Sequence, residues 1–153
     1  MPQSNFMSLP FKTTPGRSRN MRAIKARSNA TTELLLRAHL IRNGVSGWKV
    51  GVRQVPGTPD FYFKNERVAV FVDGCFWHGC PKCGHIPKTN RPYWRKKLTG
   101  NKQRDVLIKR MLRSQGVRVL RLWECRLRDS PSSCLKRLFI MLGNGRGTPA
   151  PNL

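Results

Sequence analysis

The stretch from Val68 to His85 constrains the fold of this chain more than any other part of it. It begins with an unbroken apolar run, VAVFV at 68–72, which is typical of a strand covered on both faces. The run stops at Asp73 and Gly74, and the next eleven residues hold a group of thiols and imidazoles: Cys75, His78, Cys80, Cys83 and His85. A buried strand that ends in an acid, a histidine and several thiols predicts a metal-dependent site at that end of the sheet.

The charge of the chain points to a polyanionic partner. Its 153 residues include 30 Lys and Arg against 7 Asp and Glu, a formal net charge of +23. Nucleic acid is the first candidate, and RNA binding of the ribosomal type is an alternative. A basic protein of the membrane surface is disfavoured, because the sequence has no amphipathic lysine-rich helix with a clean apolar face.

The length predicts a single domain with its own core. We expect a basic N-terminal arm over residues 1–20 that orders on nucleic acid, a folded domain over 21–142, and a disordered tail rich in Gly and Pro over 143–153. No stretch approaches transmembrane length, and the N-terminus lacks the apolar core of a signal peptide. Four of the five cysteines are spaced for a metal rather than for disulfides, which predicts a reducing, cytoplasmic compartment.

The rest of the pattern predicts a sheet with helices. Helices are predicted over residues 31–43, 93–114 and 132–142, and strands over 48–55, 60–63, 68–72 and 117–123. Gly100 weakens the middle of the second helix and allows a break there. A polar turn at 64–67 joins two strands as an antiparallel hairpin, which places Asp60 beside Val72 and Asp73. The sequence itself therefore predicts a carboxylate site at this edge of the sheet.

A structural zinc site is predicted from four cysteines: Cys75, Cys80, Cys83 and Cys125. Four thiolates bind zinc tetrahedrally and close the site against water. A redox CxxC pair is the alternative, but the Pro and Gly residues around it fit a zinc knuckle better than a helix start. His85 is an alternative ligand to Cys83, and Cys134 is expected to be a free thiol.

Five motifs resemble those of the very-short-patch repair (Vsr-type) mismatch endonucleases. They are NMRAI at 20–24, PDF at 59–61, FVDGCFWHGCP at 71–81, YW at 93–94 and RVLRLWEC at 118–125, in the family's order. The resemblance implies an α/β, restriction-endonuclease-like fold, in which a central mixed sheet is flanked by helices. It also implies a Mg²⁺-dependent nick of one strand of double-stranded DNA at a T:G mismatch, the product of 5-methylcytosine deamination.

The resemblance also implies catalytic roles. Asp60 matches a metal-binding aspartate, and the main-chain carbonyl of Val72 would reach the same Mg²⁺. His78 matches the general base that activates water. Glu33 matches a supporting carboxylate when one residue is inserted before it, and Asp73 falls where some members carry a second active-site histidine.

Further matches concern DNA and zinc. Phe76, Trp77 and Trp94 match aromatics that wedge beside the mismatch, and Met21 matches an arm residue that inserts from the other groove. A mispair is cheaper to unstack than a Watson–Crick pair, so insertion of this kind selects it. Core packing is the alternative role of the two tryptophans. The residues that match zinc ligands are Cys75, Cys80, Cys125 and, with a one-residue shift, Cys83.

Two other functions are compatible with the sequence. A restriction-type nuclease of the same fold would cut both strands of unmodified DNA. A non-catalytic, zinc-stabilised nucleic-acid-binding protein would use the cysteines and the charge, but it would have no use for Asp60 facing Asp73. We expect a monomer whose further partners are mismatch-repair proteins and a DNA polymerase.

Overall fold

The computed structural model of this protein describes residues 31–143 and the single residue Arg19. The strands are β1 (Trp48–Lys49), β2 (Phe61–Phe63), β3 (Val68–Asp73) and β4 (Arg118–Trp123). The helices are α1 (31–42), α2 (Cys75–His78), α3 (Arg91–Ser114), α4 (Glu124–Asp129) and α5 (Pro131–Leu142). The predicted arm with Met21 and the predicted tail beyond Gly143 lie outside the described residues.

The four strands form one mixed sheet in the order β1-β2-β3-β4. The hairpin through residues 64–67 is present as predicted, with Phe61 opposite Val70 in antiparallel register. β4 runs parallel to β3, and Phe71 lies opposite Arg121. A parallel pair needs a crossover, which α3 supplies between the two strands. β3 is buried over its whole length because it has a strand on either side and helices over both faces.

Alternation along β3 divides the core into two clusters. Val68, Val70 and Val72 belong to the larger one, which is completed by apolar side chains of α1, α4 and α5: Leu36, Leu40, Leu127, Leu135, Leu138 and Leu142. Ala69 and Phe71 belong to the smaller one, which Leu112 of α3 covers. Asp73 continues this second series and is thereby directed to the α3 side of the sheet.

Some predicted elements have other bounds. The strand expected over 48–55 is confined to two residues, because the backbone enters the left-handed region at Gly51 (φ +58) and then turns. α3 continues through Gly100 without a break. The short helices α2 and α4 were not predicted; each directly follows a strand end. No helix within the described residues has the length and apolar character needed to cross a bilayer.

Candidate active site and metal centre

Asp60 lies immediately before β2 and accepts a hydrogen bond of 2.6 Å from the backbone N–H of Val72. Asp60 and Val72 are therefore adjacent, as the hairpin predicted, and the contact is made by the N–H of Val72. A metal-binding role of the Val72 carbonyl stays a prediction. Burial raises the pKa of Asp60 to about 6, although the hydrogen bond from Val72 opposes the rise. A carboxyl group that ionises reluctantly in the free protein is suited to hold a cation, whose charge would replace the proton.

Glu33 reaches the same neighbourhood from α1. It is half-buried, and its negative charge is a further cause of the raised pKa of Asp60. The preceding residue, Thr32, is buried. α1 therefore adds a second carboxylate to the surroundings of Asp60, where a supporting role was expected for Glu33.

His78 ends α2 and faces two carboxylates. Its Nδ1 lies 2.7 Å from Oδ2 of Asp105 and 3.9 Å from Oδ1 of Asp73. A carboxylate at Nδ1 favours the tautomer in which Nδ1 carries the proton, which leaves Nε2 free to accept another. The arrangement can therefore serve as an oriented proton acceptor.

The carboxylate of Asp73 is buried and paired with an arginine. It is 3% exposed, and Arg121 of β4 donates two hydrogen bonds to it, Nε to Oδ2 at 2.6 Å and Nη2 to Oδ1 at 2.8 Å. The N-cap of α2 is Gly74, and no side chain, that of Asp73 included, bonds there. The charge of Asp73 still contributes to the raised pKa of Asp60. Both of its oxygens, however, accept hydrogen bonds from the guanidinium of Arg121.

The predicted thiol ligands form one group. The Sγ atoms of Cys75, Cys80, Cys83 and Cys125 all lie within 4.8 Å of one another. A tetrahedral ion with Zn–S bonds of about 2.3 Å would hold thiolates roughly 3.8 Å apart, and Sγ of Cys80 and Cys125 are 3.8 Å apart. His85 is not in this group; its ring lies 5.7 Å from that of Phe76. Four soft donors in this geometry fit one metal ion.

Local backbone geometry builds the thiol group. Cys75 opens α2 and Cys125 lies in α4, so an ion here would join the ends of β3 and β4. A Cβ on Gly84 would come within 2.5 Å of the carbonyl oxygen of Cys80, so only glycine fits this turn. Burial opposes ionisation of Cys80, but backbone N–H groups and the neighbouring thiols outweigh it and lower its pKa to about 7. One thiolate is thus available near neutral pH to begin metal binding.

Three aromatic side chains form a patch beside His78. The ring centroid of Phe76 lies 5.0 Å from that of Trp77 and 5.2 Å from that of Trp94, and the tryptophans are 6.0 Å apart. All three are half-buried, and among the described residues none belongs to either apolar cluster of the sheet. Asn101 of α3 donates a 2.9 Å hydrogen bond to the carbonyl of Trp77, which ties the patch to the long helix. The placement favours a surface role over core packing.

Comparison with known proteins decides the family. The family model for DNA mismatch endonuclease Vsr matches residues 11–83. The type II nicking enzyme V.NaeI of Lentzea aerocolonigenes is 43% identical over 75% of this chain and 71% of its own length. The DNA mismatch endonuclease Vsr of Escherichia coli K12 is 38% identical over 73% of this chain and 71% of its own length. This chain belongs to the Vsr family. It is therefore a DNA endonuclease, as the sequence motifs predicted, and DNA is its partner.

Two residues that contact the candidate site of this chain were not predicted from the sequence. Asp105 lies seven residues from each of Leu98 and Leu112, the two buried leucines of α3, so it shares their face of the helix. Arg121 lies opposite Phe71 on the parallel strand, and its guanidinium carbon is 4.9 Å from the centre of that ring. A charge on an apolar face needs a partner. The sequence therefore indicated that Asp105 and Arg121 each need a partner of opposite charge, although it did not indicate which residue that partner is.

The outer faces of α3 carry a row of exposed basic side chains. They are Arg91, Arg95, Lys96, Lys97, Lys102, Arg104, Arg110 and Arg113. The helix also supplies Trp94 to the aromatic patch and Asp105 to His78. In a Vsr-family endonuclease, such a row can contact phosphates while the same helix orients the site.

Proposed function

We propose that this Vsr-family endonuclease nicks one strand of double-stranded DNA at a T:G mismatch, with Mg²⁺, and so initiates repair of deaminated 5-methylcytosine. The observation that carries the proposal is the meeting of three features at one end of β3: the half-buried Asp60, the oriented His78 and the aromatic patch. The mixed sheet with helices over both faces is compatible with a restriction-endonuclease-like fold. The Escherichia coli relative is itself named a mismatch endonuclease.

Asp60 is the residue that would hold Mg²⁺, with the carbonyl of Val72 as a second oxygen donor. Carboxylate and carbonyl oxygens suit this hard cation. When bound, it would neutralise charge on the scissile phosphate and the leaving oxygen. The high pKa of Asp60 supports this assignment, because a cation relieves the cost of ionising a carboxylate in buried surroundings. Glu33 would orient a water molecule near the same site.

His78 would take the proton of the attacking water at Nε2. The water oxygen forms its bond to phosphorus while the bond from phosphorus to the leaving oxygen breaks. Asp105, 2.7 Å from Nδ1, stabilises the imidazolium formed in that step. Asp73 is not assigned a proton-transfer role, because its carboxylate is occupied by Arg121.

Mismatch selection is assigned to Phe76, Trp77 and Trp94, with Met21 acting from the arm outside the described residues. Wedging between bases costs less free energy at a mispair than at a matched pair. The patch is suited to this because it is half-buried, held by α2 and α3, and adjacent to His78. The thiol group would hold a structural Zn²⁺ that fixes α2, and with it Trp77 and His78, at the end of β3.

The test is cleavage of a duplex labelled on both strands, with one T:G mismatch and with a matched duplex as control. The expected result is a nick in one strand of the mismatched duplex, dependent on Mg²⁺ and absent in Asp60→Asn. Cleavage of both strands of matched DNA would indicate a restriction-type nuclease instead. Tight binding without any cleavage would indicate a non-catalytic binding protein.

A further inference from the structure

Arg121 lies at the centre of a charged network that joins three elements. Its Nε and Nη2 bond both oxygens of Asp73 on β3, and the same Nη2 lies 2.9 Å from Oδ1 of Asp105 on α3. Burial disfavours the charge of Arg121, but the bonds and charges of the two aspartates outweigh it and raise the pKa of the guanidinium. Arg121 therefore stays charged at working pH.

The two oxygens of Asp105 have different partners. Oδ1 faces Arg121, and Oδ2 faces Nδ1 of His78. A carboxylate held at one oxygen cannot rotate freely, so Arg121 fixes the direction in which Asp105 presents the other. The planar guanidinium is itself held by Asp73 and by its position over the ring of Phe71. Arg121 and Asp105 therefore connect Asp73 of the sheet to the imidazole of His78 through a series of direct contacts.

We propose that Arg121 is a positioning residue of the nicking reaction: through Asp105 it holds the imidazole of His78 so that Nε2 faces the attacking water. Its bonds to Asp73 also occupy both oxygens of that carboxylate. This inference rests on the proposed function, in which His78 accepts the proton. It assigns no contact between Arg121 and DNA.

The first experiment compares Arg121→Gln with Arg118→Gln on the T:G duplex. Arg118 lies on the same strand, is exposed, and bonds the carbonyl of Glu66, so it matches the charge loss without touching the network. Single-turnover nicking should slow by roughly 10–100-fold in Arg121→Gln, the usual effect of losing a group that orients a site residue. Affinity for the uncleaved duplex should be equal in the two variants. A nicking rate in Arg121→Gln equal to that of Arg118→Gln would overturn the proposal.

Loss of Arg121 leaves the buried Asp73 without its two hydrogen bonds from the guanidinium, which lowers stability for reasons unrelated to positioning. The double variant Asp73→Asn with Arg121→Gln removes that stranded charge, and its folding is checked by its melting temperature. Its nicking rate should stay as low as that of Arg121→Gln, because Asp105 still lacks its anchor. Recovery of the wild-type rate would show that Arg121 only neutralises Asp73, and would refute the positioning role.

A double-mutant cycle tests whether Arg121 acts on His78 through Asp105. Asp105→Asn combined with Arg121→Gln should be no slower than Asp105→Asn alone, since both changes break one chain of contacts. Rate losses that multiply would show that Arg121 acts by another route.

Imidazole ¹⁵N chemical shifts give a readout that needs no cleavage. At one fixed pH, the His78 signals, assigned by their loss in His78→Ala, should show Nδ1 protonated in the wild type and a mixture of tautomers in Arg121→Gln. Identical shifts would contradict the proposal. If the wild type failed to nick T:G duplexes, the proposed function would fail, while the shifts would still decide whether Arg121 orients His78.

Discussion

The backbone N–H of Val72 donates a 2.6 Å hydrogen bond to Oδ2 of Asp60, at a carboxyl group whose pKa burial raises to about 6. One hydrogen bond does not offset the loss of water around the charge, to which Glu33 and Asp73 add repulsion. The metal-free protein therefore holds at this position a carboxylate that destabilises the fold at neutral pH. A cation bound there would remove that effect.

Replacing Asp60 by Asn should stabilise the metal-free protein. The folded pKa, about 6, lies above the ordinary value of 3.8, so the protonated form stabilises the fold at low pH and this contribution disappears as pH rises through 6. Asp60→Asn keeps an oxygen acceptor for the N–H of Val72 without the charge. It should raise the free energy of unfolding by about 1 to 3 kcal/mol at pH 7.5 and by less at pH 5. Urea unfolding at both pH values measures this.

Asp129→Asn is the matched control, because Asp129 is exposed and its change should fall within about 0.5 kcal/mol. Added Mg²⁺ should stabilise the wild type and not Asp60→Asn. If Asp60→Asn raised the free energy of unfolding equally at pH 7.5 and pH 5, ionisation of Asp60 would not be the cause of the stabilisation.

The sequence could predict what depends on local pattern. The continuous apolar run gave β3, and the polar turn after Phe63 gave the hairpin, so the adjacency of Asp60 and Val72 followed from antiparallel pairing alone. The thiol group followed from ligand spacing within one segment, together with a strand that returns Cys125 to the same edge.

What the sequence could not predict are contacts set by packing between distant segments. His78 and Asp105 are 27 residues apart, and Asp73 and Arg121 are 48 apart. The first contact depends on the rotation of α3 over the sheet, and the second on the parallel register of β3 and β4. Local periodicity fixes neither quantity. The pairing of Asp73 with Arg121 therefore became known only from the structure.

Removing the imidazole of His78 should slow the chemical step. His78→Ala should lower the single-turnover nicking rate by about 10²–10⁴-fold, the range for loss of a general base, and Asp105→Asn by about 10–100-fold. Binding of the uncleaved T:G duplex should change little in either variant. Rapid-quench measurement at saturating enzyme separates the two quantities. If Asp105→Asn were slower than His78→Ala, the carboxylate would have a role beyond orienting the imidazole.

Loss of one thiol should remove the structural ion and lower stability together. Elemental analysis should find about one zinc per chain in the wild type and much less in Cys125→Ser, with a lower melting temperature. Cys134→Ala is the control, because Cys134 is also buried but lies in the large apolar cluster, outside the thiol group. It should lose some stability and keep its zinc. Full zinc content in Cys125→Ser would exclude Cys125 as a ligand.

Truncating the aromatic patch should reduce discrimination more than affinity. Binding to any duplex depends mainly on phosphate contacts, so it should weaken steeply with salt and with the same slope in wild type, Trp77→Ala and Trp94→Ala. The preference for a T:G duplex over a matched one should fall in both variants, because base–aromatic contact contributes roughly 1–3 kcal/mol and is cheapest to form at a mispair. Competition binding with both duplexes at three salt concentrations measures slope and preference together. If truncation of one tryptophan weakened binding to both duplexes equally, that tryptophan would be a packing residue. The wedging role would then be assigned to the remaining aromatic residues of the patch.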